Sequence, residues 1–118
     1  RPDQESVQRL RQQFASQDAS ERVQASLVLA QSPRPVVVRL AVAYAQSLRS
    51  ADPDTRVALI RNLADMESAL RRSQRNARAP MLPADLLSAL ETARSDESAE
   101  VRAAAEETLA AIRAAGQK

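Results

Sequence analysis

The sequence predicts an all-α domain of about six helices, folded as three stacked antiparallel helical hairpins. Three observations carry this. Glycine occurs once in 118 residues, so the positive-φ turns of tight β-hairpins lack their usual residue. Alanine supplies 24 of the 52 apolar residues; it is the best helix former and lets helices approach closely. The larger apolar residues recur at helical spacing between segments that open on acidic or proline caps.

Taken in order, residues 3–16 read as a first helix, with Asp3 as its cap and Val7, Leu10 and Phe14 as its stripe. Asp18 and Glu21 have the spacing of a capping box and open a second helix that runs to about Gln31. Its stripe is Val23, Leu27 and Ala30, widened by Val28. Ser32-Pro33-Arg34-Pro35 is a break, and Pro35 suits the first position of a new helix. Val36-Val37-Val38 is strand-like by propensity. The continuation to Leu48 shows no alternating polar face, so Val36–Leu48 is read as a helix, apolar on two sides and therefore central. Asp52-Pro53 is the clearest helix start in the chain. Leu59, Leu63, Met66 and Leu70 follow at core spacing, and the helix is expected to reach Arg75 or Arg78. Residues 76–83 are a loop. A fifth helix follows Pro83 with Leu86, Leu87, Leu90 and Ala93. A sixth begins near Asp96 or Ser98, carries Val101, Ala105, Leu109 and Ile112, and ends at Gly116 as its C′ residue. The hairpins are then 3–31, 35–75 and 83–115.

The length suits one domain with its own core. No Cys is present, which removes disulfides and thiolate metal sites and leaves the redox compartment open. No His is present, which removes the commonest general base and zinc ligand. No apolar run approaches the ~20 residues of a membrane span. Arg1 in place of an initiator Met marks a processed form or a piece of a longer protein. Net charge is +2, unevenly spread: +3 over residues 1–51, +2 over 52–78 and −3 over 79–118. That is the charge of ordinary solvated faces, or a means of steering a partner.

The hairpins show an internal echo. Asp18, Asp52 and Asp96 are each followed five residues later by Val23, Val57 and Val101. The run from Asp96 through Val101-Arg102, Ala105 and Leu109 to Ile112 resembles the second helix of a HEAT repeat, over residues 96–112. The other units match only in layout, with Arg22 and Arg56 before the valine rather than after it. The resemblance implies stacked hairpins and a surface that binds another protein; a closed bundle would use the same amphipathic helices.

Nothing in the sequence assembles a catalytic set. Carboxylates, Ser/Thr, Tyr44 and Lys118 are the only candidates, and Asp52 and Asp54 are accounted for by helix capping. The chain reads as a non-enzyme with no cofactor and no metal. The one candidate binding feature is Arg71, Arg72, Arg75 and Arg78. Residues 69–78 carry four arginines and no acid, and Arg71, Arg75 and Arg78 share a helix face if the helix continues. Arginine forks suit phosphates and carboxylates, whereas arginines at a helix C-terminus also simply complement the dipole. The expected partner is therefore another protein, with nucleic acid or another polyanion on the arginine stripe as the alternative.

Overall fold

Helix starts follow the caps written in the sequence. The computed structural model describes residues 2–50, 52–74 and 76–117, and six helices form. They are α1 (Pro2–Phe14), α2 (Ala19–Ala30), α3 (Arg34–Ser47), α4 (Pro53–Arg71), α5 (Ala84–Ala93) and α6 (Ala99–Ala115). The side chain of Asp3 lies outside the described residues, and with it the cap expected of that residue. Asp18 caps α2 by accepting from the Ser20 amide (3.0 Å) and hydroxyl (2.8 Å). The amide of Asp18 itself donates to Ser16 Oγ at 3.0 Å, so Ser16 fills the place the capping box reserved for Glu21. Asp52 caps α4, accepting from the Asp54 amide and, at 2.8 Å, from Thr55 Oγ1. The start of α6 is Ser98, whose side chain accepts from the Val101 amide. Val36–Leu48 is helical through Ser47, with Pro35 in the first turn, so the strand-like propensity of the three valines yields to the proline start and to packing.

The hairpins stack in two rows. Helices α1, α3 and α5 pack side by side in one, and α2, α4 and α6 in the other. The result is a slab of 39 × 36 × 17 Å whose thin dimension is two helix layers. Between the rows lie Leu29, Leu40, Leu59, Leu63, Met66, Leu86 and Leu90, all fully buried. Tyr44 is buried among them: its ring lies 5.2 Å from that of Phe14, and its hydroxyl donates to the Leu59 carbonyl. Burial raises the Tyr44 pKa far above that of a free phenol, so it remains a neutral donor.

Two expected stripes are turned. In α2 the buried face is Ala25, Ser26, Leu29 and Ala30, while Leu27 (45% exposed) and Val28 (46%) face outward. The reason is that α2 is packed by α4 along one flank and by α1 and α3 along another, which selects a face the apolar spacing alone did not identify. In α3, one of the two apolar sides, Val36, Leu40 and Tyr44, is buried. Its second apolar face is not: Val38 is 52% exposed and Val42 55% exposed. Its neighbours α1 and α5 flank α3 and leave its outer surface bare. Gly116 ends α6 with ordinary right-handed φ, not the left-handed turn of a C′ glycine. It is needed for close approach, because a Cβ there would collide with the Arg78 carbonyl.

Candidate functional site

Helix α4 ends at Arg71, so the expected arginine stripe has no helix to lie on. Arg71 is itself buried and fully engaged. Its Nε pairs with Glu67 at 2.7 Å, and its two terminal nitrogens donate to the carbonyls of Ala77 and Ala79. Glu67, 1% exposed, also accepts from the amides of Met81 and Leu82. The pair is a strut that folds residues 77–82 back over the end of α4. Arg72 and Arg78 are exposed on separate parts of the turn that follows, and Arg75 lies outside the described residues. The expected stripe therefore loses Arg71 to the fold, while Arg72 and Arg78 stay exposed.

A different set of arginines is brought into register. Arg22, Arg56 and Arg102 each stand four residues after the cap of their helix, namely Asp18, Asp52 and Ser98. Each reaches back with Nη1 to the carbonyl six residues earlier: Ser16 and Ser50 at 2.6 Å, and Asp96 at 2.7 Å. The structural repeat is thus set by cap and arginine. This corrects the register read from Asp96 and Val101. Asp96 occupies the turn position of Ser16 and Ser50, two residues ahead of the cap, and Val101 occupies that of Thr55. The signal was present in the sequence as a four-residue spacing from cap to arginine. It was hidden because the third cap is Ser98 while a more conspicuous Asp stands just before it.

The arginines also cross to the next hairpin. Arg56 grips Asp96 side-on, with Nε to Oδ2 and Nη2 to Oδ1 both at 3.1 Å. Burial pushes the Asp96 pKa up, but the Ser98 amide, the Arg56 hydrogen bonds and the Arg56 and Arg102 charges outweigh it. The net result lies below the usual carboxylate value. Arg22 meets Ser50 at the equivalent place, Nη2 to Oγ at 2.8 Å.

Each junction opens into a cleft at its turn end. Between α3 and α5 the cleft holds about 710 Å³. Its floor is Ile60 and Val101, its walls include Val42, Ala45 and Ala89, and its rim carries Arg49, Asp85 and Glu97. The short alanine side chains on both walls leave the space between the helices unfilled. Between α1 and α3 a cleft of about 510 Å³ is lined by Arg11, Arg22 and Arg49 with Ser16, Ser47 and Ser50, and by no acid. The exposed Val38 and Val42 lie on the outer face of α3. Among the described residues no group of His, Cys, Asp or Glu could hold a metal ion, and no helix is long and apolar enough to cross a membrane. No family model matches the chain, and neither does any curated protein or solved structure.

Proposed function

We propose that the chain is a non-catalytic, HEAT-like repeat module that binds another protein, with the α3–α5 cleft as its seat. The observation that carries this reading is the cleft itself: about 710 Å³ with an apolar floor and a rim of both charge signs. That is the size and character of a concave binding site. The arginine that reaches the turn carbonyl in all three hairpins supports the repeat part of the reading, since stacked units are held by contacts to their neighbours alone. Exposed Val42 at the cleft edge supplies apolar area that a partner helix or loop would cover.

The test is a displayed peptide library selected on the intact protein, followed by affinity measurement against Ala89→Trp, which fills the cleft from a half-exposed position. Selected peptides are expected to lose at least about tenfold in affinity, roughly 1.4 kcal/mol, while the melting temperature stays close to that of the parent. Peptides that bind the filled variant equally well, or a selection that enriches nothing, would overturn the assignment.

A further inference from the structure

The two junctions are built alike and finished differently. In the second, the Nε/Nη2 edge of Arg56 is closed by a carboxylate that the fold provides, Asp96. In the first, the same edge of Arg22 meets only a serine hydroxyl. Nη2 donates to Ser50 Oγ at 2.8 Å, and Nε is buried with no hydrogen-bond partner. Buried donors are nearly always satisfied, and an orphan on a guanidinium marks a place prepared for an acceptor.

The surroundings say what kind of acceptor. Arg11 and Arg49 line the same cleft as Arg22, and no acid lines it. Residues 22–51 contain no Asp or Glu at all. Among the described residues Arg49 forms no ion pair, and Arg11 makes one long bond, 3.3 Å, to the Arg39 carbonyl. Of the carboxylates flanking Arg22 and Arg49 in sequence, Asp18 and Asp52 cap their helices through Ser20, Asp54 and Thr55, and Glu21 is exposed and does not line the cleft. Three guanidinium groups around one cavity exceed what a single carboxylate neutralises. They match a group with two charges and several acceptor oxygens.

We infer that the α1–α3 cleft is a binding site for a phosphate-class oxyanion, either free phosphate or a phosphomonoester. It is received side-on by Arg22, with Arg11 and Arg49 as further cations and the Ser50 hydroxyl as a donor. The anion stands where Asp96 stands one repeat later. The site shares Gln46, Arg49 and Ser50 with the lining of the α3–α5 cleft, but phosphate titration reads it independently of peptide binding there.

The experiment is a titration of the intact ¹⁵N-labelled protein with inorganic phosphate at constant ionic strength, following the arginine Nε–Hε signals. Saturable movement of the Arg22 signal is expected, and it should reproduce with phosphoserine but not with serine. Tighter binding of phosphoserine than of phosphate assigns the site to a carried phosphomonoester, and the reverse order assigns it to the free ion. Two variants bear on the mechanism. Ser50→Asp gives the first junction the internal carboxylate of the second; it should raise the melting temperature and weaken phosphate binding by about tenfold or more. Arg49→Ser removes a cation with no role in packing; it should weaken binding several-fold and leave the melting temperature unchanged. Non-saturable movement of Arg22, or phosphate affinity in Ser50→Asp equal to that of the parent, would overturn the assignment. If Ser50→Asp fails to fold, Arg49→Ser decides alone: parental affinity in it rejects the site.

Discussion

The junction between the first and second hairpins and the junction between the second and third use one arginine at one register and end with opposite electrostatics. At the second, Arg56 is neutralised by Asp96, with both side chains largely shielded from water at 11% and 17% exposure. At the first, Arg22 meets the Ser16 carbonyl and the Ser50 hydroxyl, and no carboxylate forms an ion pair with it among the described residues. The second junction is also closed by the Glu67–Arg71 strut, and the outer end of the stack by Arg94, which pairs with Glu91 and Glu106. The second junction thus pairs its guanidinium group with a carboxylate, while among the described residues Arg22 and Arg49 at the first form no ion pair. The lesson is that a repeat position preserves geometry while its neighbour decides whether that geometry serves stability or binding. In a stack held only by nearest-neighbour contacts, the two roles separate by junction.

Substitutions break this comparison most severely at the strut. Glu67→Ala leaves the buried Arg71 charge without its counter-ion and the Met81 and Leu82 amides without an acceptor. A loss of about 3–5 kcal/mol is expected in urea unfolding. A loss under about 1 kcal/mol would show that the second junction does not depend on the strut. Leu29, Leu63 and Leu109 each follow their arginine by seven residues and are all buried, so truncating them compares the units directly. Leu63→Ala, in the unit packed on both sides, should approach ~5 kcal/mol, and Leu29→Ala and Leu109→Ala about 2–3 kcal/mol. Equal losses at all three would undo the repeat equivalence.

A smaller effect is expected from pH. The folded-state pKa of Asp96 is lowered, so in the acid range the unfolded chain binds more protons than the native one, and stability rises with pH. This contribution is complete above the unfolded value of about 3.9 and is lost as pH falls through the folded one. The gap in urea midpoint between the parent and Asp96→Asn should therefore shrink on going from neutral pH to below 3. A gap that does not change with pH would mean that Asp96 ionisation is irrelevant to the second junction. The smallest changes belong to Arg72→Ser and Arg78→Ser, both exposed. Each should alter stability by no more than about 0.5 kcal/mol. A larger loss would place one of them in the lock that Arg71 and Glu67 form.

What the sequence announced was the helices. Asp18, Asp52-Pro53 and Pro83 state their starts through local chemistry, and Leu59, Leu63 and Met66 state a core face through spacing, because both act within a few residues of chain. The faces of α2 and α3 were harder, because Leu27 and Val42 are exposed only through where neighbouring helices lie. The binding residues were harder still. Arg71 looked like part of a basic stripe because nothing nearby in sequence reveals that residues 77–82 fold back over it. Arg22 looked ordinary because its significance rests on Ser50, 28 residues away, and on the contrast with Asp96. An orphaned donor has no sequence signature; it is visible only when the place its partner should occupy can be inspected.

The contrast between junctions is tested most directly by paired double-mutant cycles, Arg56 with Asp96 and Arg22 with Ser50, each residue changed to Ala alone and together. Coupling of about 1–3 kcal/mol is predicted between Arg56 and Asp96, and under about 1 kcal/mol between Arg22 and Ser50. Equal couplings, or a stronger one at Arg22, would contradict the account, because the first junction would then already be closed and its guanidinium would have no edge to offer.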